Sequence, residues 1–517
     1  MRVTNSMISN SSRSHISNSK TMLNKYEQQY TTQNNIQRTS DDPTVAVRSL
    51  KLRTTYAQLT QYAEKNVQDA MDWMDTTESA MSNISSTLTN MKSYLNQGAN
   101  DYLKPDDRTS VLSTLKQYVN SIFADEANTD YSGRYVFTGY RTDTSLLFPS
   151  DTETLSYQIK ENLKYTDLTN VTVIKGGASY DASITDGQEY VNKAATTNSV
   201  FRLNLAYDNL SNEQFPQESE KSIEAPIKLQ ISYKDPGGAD PGEQPEIIKE
   251  TLEIDEDNIK LSTDSTAYDL GDDDIVYLYD TGEILMGKNV YADIQQKQAD
   301  ITVDYCKKSF EENEIRPEMY FECLCYDSVE NEVTEYVEPS KQNINYEVNY
   351  SQTITVNTQA RDAISTNIYR AIDYIEQTIQ SVTDVEAKLS EVEKMIGNTS
   401  DESTIATLNS LKKVLTDEKE LRIAVMTEAF GKGLTMIDDA QQMVSVAVSE
   451  LGAKYNRSEL TYDKLLDEQT DTEEKMSGNE DVNFEDVYIN LTQANNLYQA
   501  SLSATAKILG NTLLNYI

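Results

Sequence analysis

The sequence predicts an α+β protein: a long antiparallel helical bundle, a coiled-coil rod, built from both chain ends, with a β-rich domain inserted between them. Three observations predict it. Residues 44–98 carry a sustained heptad pattern. Residues 360–517 answer it with apolar stripes of the same kind. Between about 140 and 356 the pattern changes to period-two alternation amid Asp, Gly, Pro and Thr. The two periods, 3.5 and 2, are those of a helical seam and of a half-buried strand.

In the first half, Leu52, Tyr56, Leu59, Ala63, Asn66, Ala70, Trp73, Thr77, Ala80, Ile84, Thr87, Met91 and Tyr94 are spaced alternately four and three apart. That spacing marks one long helix with a single narrow buried seam. At 1.5 Å per residue such a helix spans roughly 80 Å. Thr39, Ser40 and Asp41 precede it and Pro43 suits its first turn, with Gly98 near its end. A second helix starts at Pro105-Asp106-Asp107, buries Val111, Leu115, Val119 and Ile122, and ends before Gly133. In the second half, Ile364, Ile368, Ile372, Ile375, Ile379, Val382, Leu389 and Ile396 share a stripe. A longer helix follows from about Ser403 to the acidic run near Glu474, with a break or kink expected at Gly431 and Gly433. The last segment places Phe484, Val487, Leu491, Ala494, Tyr498, Ser501, Ile508 and Leu513 on another seam.

The middle holds the runs TLSYQI, NVTVI, VFRLNL, IKLQISY, IVYLY, ITVDY, MYFECLCY and INYEVNY, rich in β-branched and aromatic residues and read as strands. YLYDTGEILM is expected to form a hairpin turning at Asp280-Thr281-Gly282. DPGGADPGEQP (235–245) is expected to be an exposed loop. The resulting division is 1–43, 44–145, 146–356, 357–475 and 476–517. The first and last are expected to be inner polymer-core segments, and 146–356 the outer β-rich domain. Neither helical half can bury its seam alone, so the two halves must pair. The first ~40 residues are too polar to fold alone and are expected to order against neighbours.

Composition narrows the function. At 517 residues the chain needs two or more domains. Its 84 acidic against 45 basic residues give a net charge of -39, which repels nucleic acid and anionic membranes. Neither nucleic-acid binding nor membrane insertion is expected, and the N-terminus lacks the apolar core of a cleavable signal. Three cysteines, Cys306, Cys323 and Cys325, make no disulfide framework; Cys323 and Cys325 read as packed strand thiols. One histidine, His15, excludes any two-histidine metal site. Phosphate-loop, nucleophile-elbow and zinc-protease motifs do not occur. The acidic run Gly271-Asp272-Asp273-Asp274 lacks a calcium-loop register and reads as solvated charge. No catalysis, cofactor or metal is expected.

Four segments carry a resemblance. TSDDPTVAVRSLKLR (39–53) resembles the Ser-Asp-Asp-Pro signature that opens the first long helix of flagellins and hook-associated proteins. TDYSGRYVFTGYRTDTSLL (129–147) resembles the Gly-Arg-Tyr-Val-Phe-x-Gly-Tyr turn of the hook-associated protein 3 family, which joins hook to filament. VSELGAKYNRSEL (448–460) is similar to the superfamily's Leu-Gly-Ala-x-x-Asn-Arg motif, and YQASLSATAKILGNTLLNYI (498–517) to the junction family's last helix. The four fall in order and span both ends. The resemblance implies a structural subunit of the bacterial flagellum, extracellular, exported through the flagellar type III channel without a cleaved signal. It implies as partners another hook-associated protein, flagellin, further copies in a ring-like layer, and a cytoplasmic export chaperone at the C-terminal helix. A filament flagellin with an enlarged outer domain, or an adhesin-like module, are the alternatives.

Candidate interface residues are Val3, Met7, Leu23 and Tyr26 with Leu491, Tyr498, Leu502, Leu509 and Leu513, the apolar positions of the terminal segments. Burial within one subunit is the competing reading. The resemblance adds Asp41, Asp42 and Pro43 as a helix cap, and Gly133, Arg134, Tyr135, Phe137 and Gly139 as the turn after the second helix. It also adds Leu451, Gly452, Asn456 and Arg457, the last two as interface contacts or as a solvated helix face.

Overall fold

The computed structural model describes all residues except 1–4, 101–103, 217–221, 235–246, 265, 337–341 and 511–517. The loop expected at 235–245 therefore lies outside the described residues, as do Val3 and Leu513.

Helix α1 spans Asn5–Thr32, α2 Pro43–Gln61 and α3 Gln68–Gly98; α2 runs into α3 through a π-helical turn at Tyr62–Val67. Helix α4, Pro105–Asn120, ends in a second π turn at Ser121–Glu126. Three short helices follow, α5 at Gly187–Asn192, α6 at Lys288–Lys297 and α7 at Pro317–Tyr320. Then come α8 at Ala360–Ala363, α9 at Asn367–Asn398, α10 at Glu402–Glu480 and α11 at Phe484–Gly510. The strands are β1 Asp130–Tyr131, β2 Arg134–Tyr135, β3 Leu155–Lys164, β4 Thr169–Lys175, β5 Thr196–Asn204, β6 Ile227–Lys234, β7 Ile247–Leu252 and β8 Ile259–Lys260. They continue as β9 Ile275–Leu278, β10 Glu283–Met286, β11 Asp300–Lys307, β12 Glu322–Asp327, β13 Glu332–Tyr336, β14 Asn345–Asn349 and β15 Gln352–Thr355. The protein is thus α+β, with helical ends around a β-rich middle.

The chain divides into two compact units. The first holds Met1–Met71, Tyr346–Ile354 and Asn456–Ile517; the second holds Asp72–Asn345 and Thr355–Tyr455. In the first unit α1 and α11 run antiparallel: Tyr30 meets Phe484 with ring centroids 4.9 Å apart, and Ser19 Oγ lies 3.4 Å from Ser501 Oγ. The N-terminal segment expected to be too polar to fold alone is helical here because α11 covers its seam. Helix α2 pairs antiparallel with the end of α10: Asn479 donates to the Val45 carbonyl at 3.1 Å and Gln469 to the Thr60 hydroxyl at 2.9 Å. The β14–β15 hairpin packs Val348 and Ile354 onto Leu59, Ala63, Val67 and Leu465, beside the π turn. Tyr346 donates to Asp69 at 2.6 Å and Asn66 donates to the Glu347 carbonyl at 2.8 Å.

In the second unit α3 runs antiparallel to α10, with Lys92 paired to Asp438 and Gln441 donating to Thr89 at 3.1 Å. Helix α4 runs antiparallel to α9, with Lys116 and Glu376 at 2.6 Å and the rings of Phe123 and Tyr369 at 4.3 Å. The single narrow seam expected on α3 is corrected here. Met74, Met81, Leu88 and Leu95 form a second buried row beside Trp73, Ala80, Ile84 and Met91. A helix with neighbours on two sides buries two adjacent heptad rows. The break expected at Gly431 and Gly433 is also absent: α10 is continuous through both. A methyl group at Gly433 would stand 2.8 Å from Ile375, so the missing side chain serves close helix approach, not a kink.

Two sheets build the insert. One is the antiparallel order β13-β12-β3-β11-β6-β7; the other is β4-β5-β10-β9-β8, antiparallel except for the parallel β8–β9 pair. Strands β9 and β10 are buried on both faces, as their nearly unbroken apolar runs require. The turn between them carries Gly282 at φ +64, where a Cβ would overlap the Tyr207 carbonyl. MYFECLCY is shorter as a strand than expected, because Pro317 opens the α7 turn and β12 starts only at Glu322. The three cysteines are free and buried.

Candidate assembly interface

The terminal helices carry one shared seam. On α1, Ser12, Ile16, Ser19, Leu23, Tyr26 and Tyr30 form a shielded row spaced four and three apart, with Ile8, Ser9 and Gln29 shielded beside it; on α11 the row is Val487, Leu491, Ala494, Tyr498, Ser501 and Thr505, with Asn490 beside it. The seam is narrow and half polar, so much of each helix stays open. Leu23, Tyr26, Leu491 and Tyr498 lie half-buried within it, so part of their surface is taken up inside the chain. Met7, 61% exposed, and Leu502, 43% exposed, project away from it. The side chain of Leu509 lies outside the described residues. Sequence reasoning missed a further exposed set, Met22 on α1 and Tyr488, Ile489 and Leu497 on α11, and it placed Phe484 on the seam although that side chain is 49% exposed. Tyr488 flanks the seam, with its ring 6.2 Å from Tyr30. The signal was present in the sequence as apolar residues on α11 outside the chosen heptad.

At the base of the pair, two capping acids fix the start of α2. Asp41 accepts from the backbone of Arg38 at 3.0 Å and of Gln37 at 3.3 Å. Asp42 is the N-cap, accepting from the Thr44 backbone at 2.9 Å and the Val45 backbone at 3.3 Å, with Pro43 at the first helical position. The Thr44 hydroxyl, with those two amides, holds the Asp42 carboxyl below its ordinary range. One turn further, Glu480 at the end of α10 accepts from Arg53 at 2.8 and 2.5 Å and from Ser49. The Arg53 bond depresses the Glu480 carboxyl, and Glu480 in turn raises Arg53. Residues separated by over four hundred positions make this clamp, so no local motif could reveal it. Asn456 and Arg457 are exposed on α10, Leu451 is buried, and nothing stands within 4 Å of a Cβ built on Gly452.

The turn motif sits in the second unit. Ser132 and Gly133, at φ +53 and +77, connect the two-residue strands β1 and β2, and both positive angles suit a type I′ hairpin. The Gly133 amide donates to Asp130 at 2.9 Å. Arg134 lies over the only tryptophan, Trp73, at 4.9 Å from the ring, and Tyr131 meets that ring edge-on at 5.9 Å. Tyr135 is half-buried and Phe137 buried; the Phe137 carbonyl accepts from Ala360 at 2.9 Å, linking the turn to α8. Gly139, at φ +63, leaves room for Gln342, which accepts from the Tyr140 amide at 3.0 Å. These residues shape a turn and tie it to the bundle.

Comparison with known proteins matches both ends. Residues 3–142 match the family described as bacterial flagellin N-terminal helical region, and residues 434–517 the bacterial flagellin C-terminal helical region. Both ends of the chain are therefore similar to the terminal helical regions of flagellins. Among curated proteins, this chain is similar to flagellar hook-associated protein 3 of Escherichia coli K12, 28% identical over 28% of this chain and 45% of the relative. The same protein of Salmonella typhimurium LT2 is 29% identical over 30% of this chain and 48% of its own length. The chain thus spans about half the length of the curated relatives it matches. A solved structure of flagellar hook-associated protein-3 from Legionella pneumophila covers 83% of this chain and 98% of its own at 12% identity, with a TM-score of 0.29. A score of that size does not establish a shared overall fold. Among the described residues no helix is long and apolar enough to cross a membrane.

Proposed function

We propose that this chain is a structural, non-catalytic subunit of the bacterial flagellum, placed where hook meets filament. The observation that carries this is the pair of flagellin terminal regions at its two ends, with curated relatives named hook-associated protein 3. The antiparallel α1–α11 pair supports it: it leaves Met7, Met22, Phe484, Tyr488, Ile489, Leu497 and Leu502 exposed. Burying such apolar surface contributes about 25 cal/mol per Å², so a few residues per subunit suffice to hold copies together. In this reading Met7, Leu23, Tyr26, Leu491, Tyr498 and Leu502, with Val3, Leu509 and Leu513, serve the subunit interface. Copies form a ring-like layer between another hook-associated protein and flagellin. The chain leaves the cell through the flagellar export channel without a cleaved signal, and a cytoplasmic chaperone covers the C-terminal helix beforehand.

Deletion of the gene tests the role. Loss of filaments with flagellin secreted as monomer is expected, restored by the gene in trans; normal filaments in the deletion strain refute it. The family match also admits a filament flagellin. That reading requires the chain to dominate sheared filaments, where a junction subunit is a trace component.

A further inference from the structure

Helix α9 meets the insert through buried polar groups as well as apolar ones. Arg370 and Tyr374, one turn apart, share a face of α9. Arg370 is 4% exposed; it donates to the Thr281 carbonyl in the β9–β10 turn and lies 3.5 Å from Asp373. Arg202 on β5 pairs with Glu283 on β10 at 2.8 Å and stacks 4.0 Å from the centre of the Tyr374 ring. Within the insert, Glu161 on β3 is buried. It accepts from the Ala206 amide at 3.0 Å and the Tyr305 hydroxyl at 2.9 Å. No cationic nitrogen among the described residues pairs with it; Arg370 acts on it only at longer range. Arg202 Nε, Asn204 Oδ1, Thr281 Oγ1, Arg370 Nε and the Tyr374 hydroxyl are buried without a hydrogen-bond partner. A cavity of about 660 Å³ adjoins this layer, lined in part by Tyr207, Asp208, Lys307, Glu314, Arg370 and Asp373.

We propose that this layer is a pH-responsive joint between helix α9 and the β insert, tight while Glu161 carries a proton and loosened when it ionises. A buried carboxylate without a paired cation is costly, whereas the protonated acid is neutral and gains a donor. Five unmet polar atoms show that the surrounding layer is not otherwise saturated, so one added charge weighs heavily there. The groups facing Glu161 are Tyr305 from β11, Arg370 from α9 and Asp167 from the turn after β3. On the cavity side, Asp373 faces Arg370, Asp208, Glu376 and Lys116, and Glu314 faces Lys307 and Asp208. Burial pushes Glu161 up to about 7 and Asp373 to about 6, and raises Glu314. A raised acid adds stability that is complete below its unfolded value of 4.5 and is lost as pH rises to about 7.

Hydrogen exchange of the full chain, corrected for intrinsic rates, tests the joint on peptides spanning 200–207, 279–285 and 367–376. In the wild type the opening constant rises toward about tenfold per pH unit between pH 5 and pH 7. In Glu161→Gln that rise shrinks to the smaller contribution of the cavity carboxylates, which Asp373→Asn reduces further. An equal rise in wild type and Glu161→Gln overturns the proposal. Should the glutamine variant fail to fold, difference infrared spectroscopy of the wild type decides: a buried protonated-carboxyl band must disappear between pH 5 and pH 8, and a band that is absent or unchanged overturns it.

Discussion

Gly98 ends α3 against the ring of Phe430, where a methyl group would overlap the ring carbons. Helix propensity alone favours alanine there by about 1 kcal/mol. Overpacking costs about 1–3 kcal/mol and wins where both neighbours are fixed. Gly98→Ala is therefore expected to lower the urea midpoint, and Phe430→Ala, which empties the buried site, to cost ~3–5 kcal/mol. Equal or higher stability for Gly98→Ala would show that the ring swings aside freely. Gly133→Ala forces a methyl group into a left-handed position and is expected to cost about 1–2 kcal/mol. At this scale the caps were legible and the long-range contacts were not. Asp42 and Pro43 are read from four neighbouring letters. Arg134 over Trp73, and Arg53 on Glu480, depend on which helices meet.

The long helices are the part the sequence reveals best, because one heptad period persists over many turns. Their surroundings are less legible. The same period suits one seam or two adjacent rows, and only the neighbours of α3 decide that Met74, Met81, Leu88 and Leu95 are also buried. The π turn at Tyr62–Val67 leaves no local mark, since one extra residue in a turn changes facing but not composition. Deleting Lys65 should convert that turn to regular helix and rotate α2 by about 100°. Ser49 and Arg53 would then leave Glu480, and amide protection over 43–61 is expected to collapse; unchanged protection would mean the turn is passive. The same clamp has a pH signature. Glu480 is depressed from 4.5, so its contribution is present above that value and lost as pH falls through the lower folded one. Glu480→Gln should flatten the acid limb of first-unit unfolding, modestly, because Arg53 is largely exposed. The candidate interface was half legible. The terminal seams were read from spacing, but Tyr488, Ile489 and Leu497 sit off that spacing.

Across the whole molecule, a net charge of -39 makes self-repulsion part of the stability. Screening shortens from about 30 Å at 0.01 M salt to about 8 Å at 0.15 M. The melting temperature is expected to rise over that range, and a flat or falling trend would show that the 45 basic residues already neutralise the acids locally. The two-unit division was not legible, because its boundaries at Met71 and Tyr455 fall inside unbroken helices. Both sheets were foreshadowed by alternating runs, yet β7 and β13 were missed because their exposed, charged edges blur the alternation. The lone Trp73, sealed from water beneath a guanidinium, has an optical consequence. Its emission should be blue-shifted and should report on the second unit only, since Tyr131 and Arg134 belong to that unit as well. Far-ultraviolet dichroism would still register α1 and α11. Heating one sample while recording both signals thus gives the terminal pair and the insert-bearing body separate melting curves, with no label added.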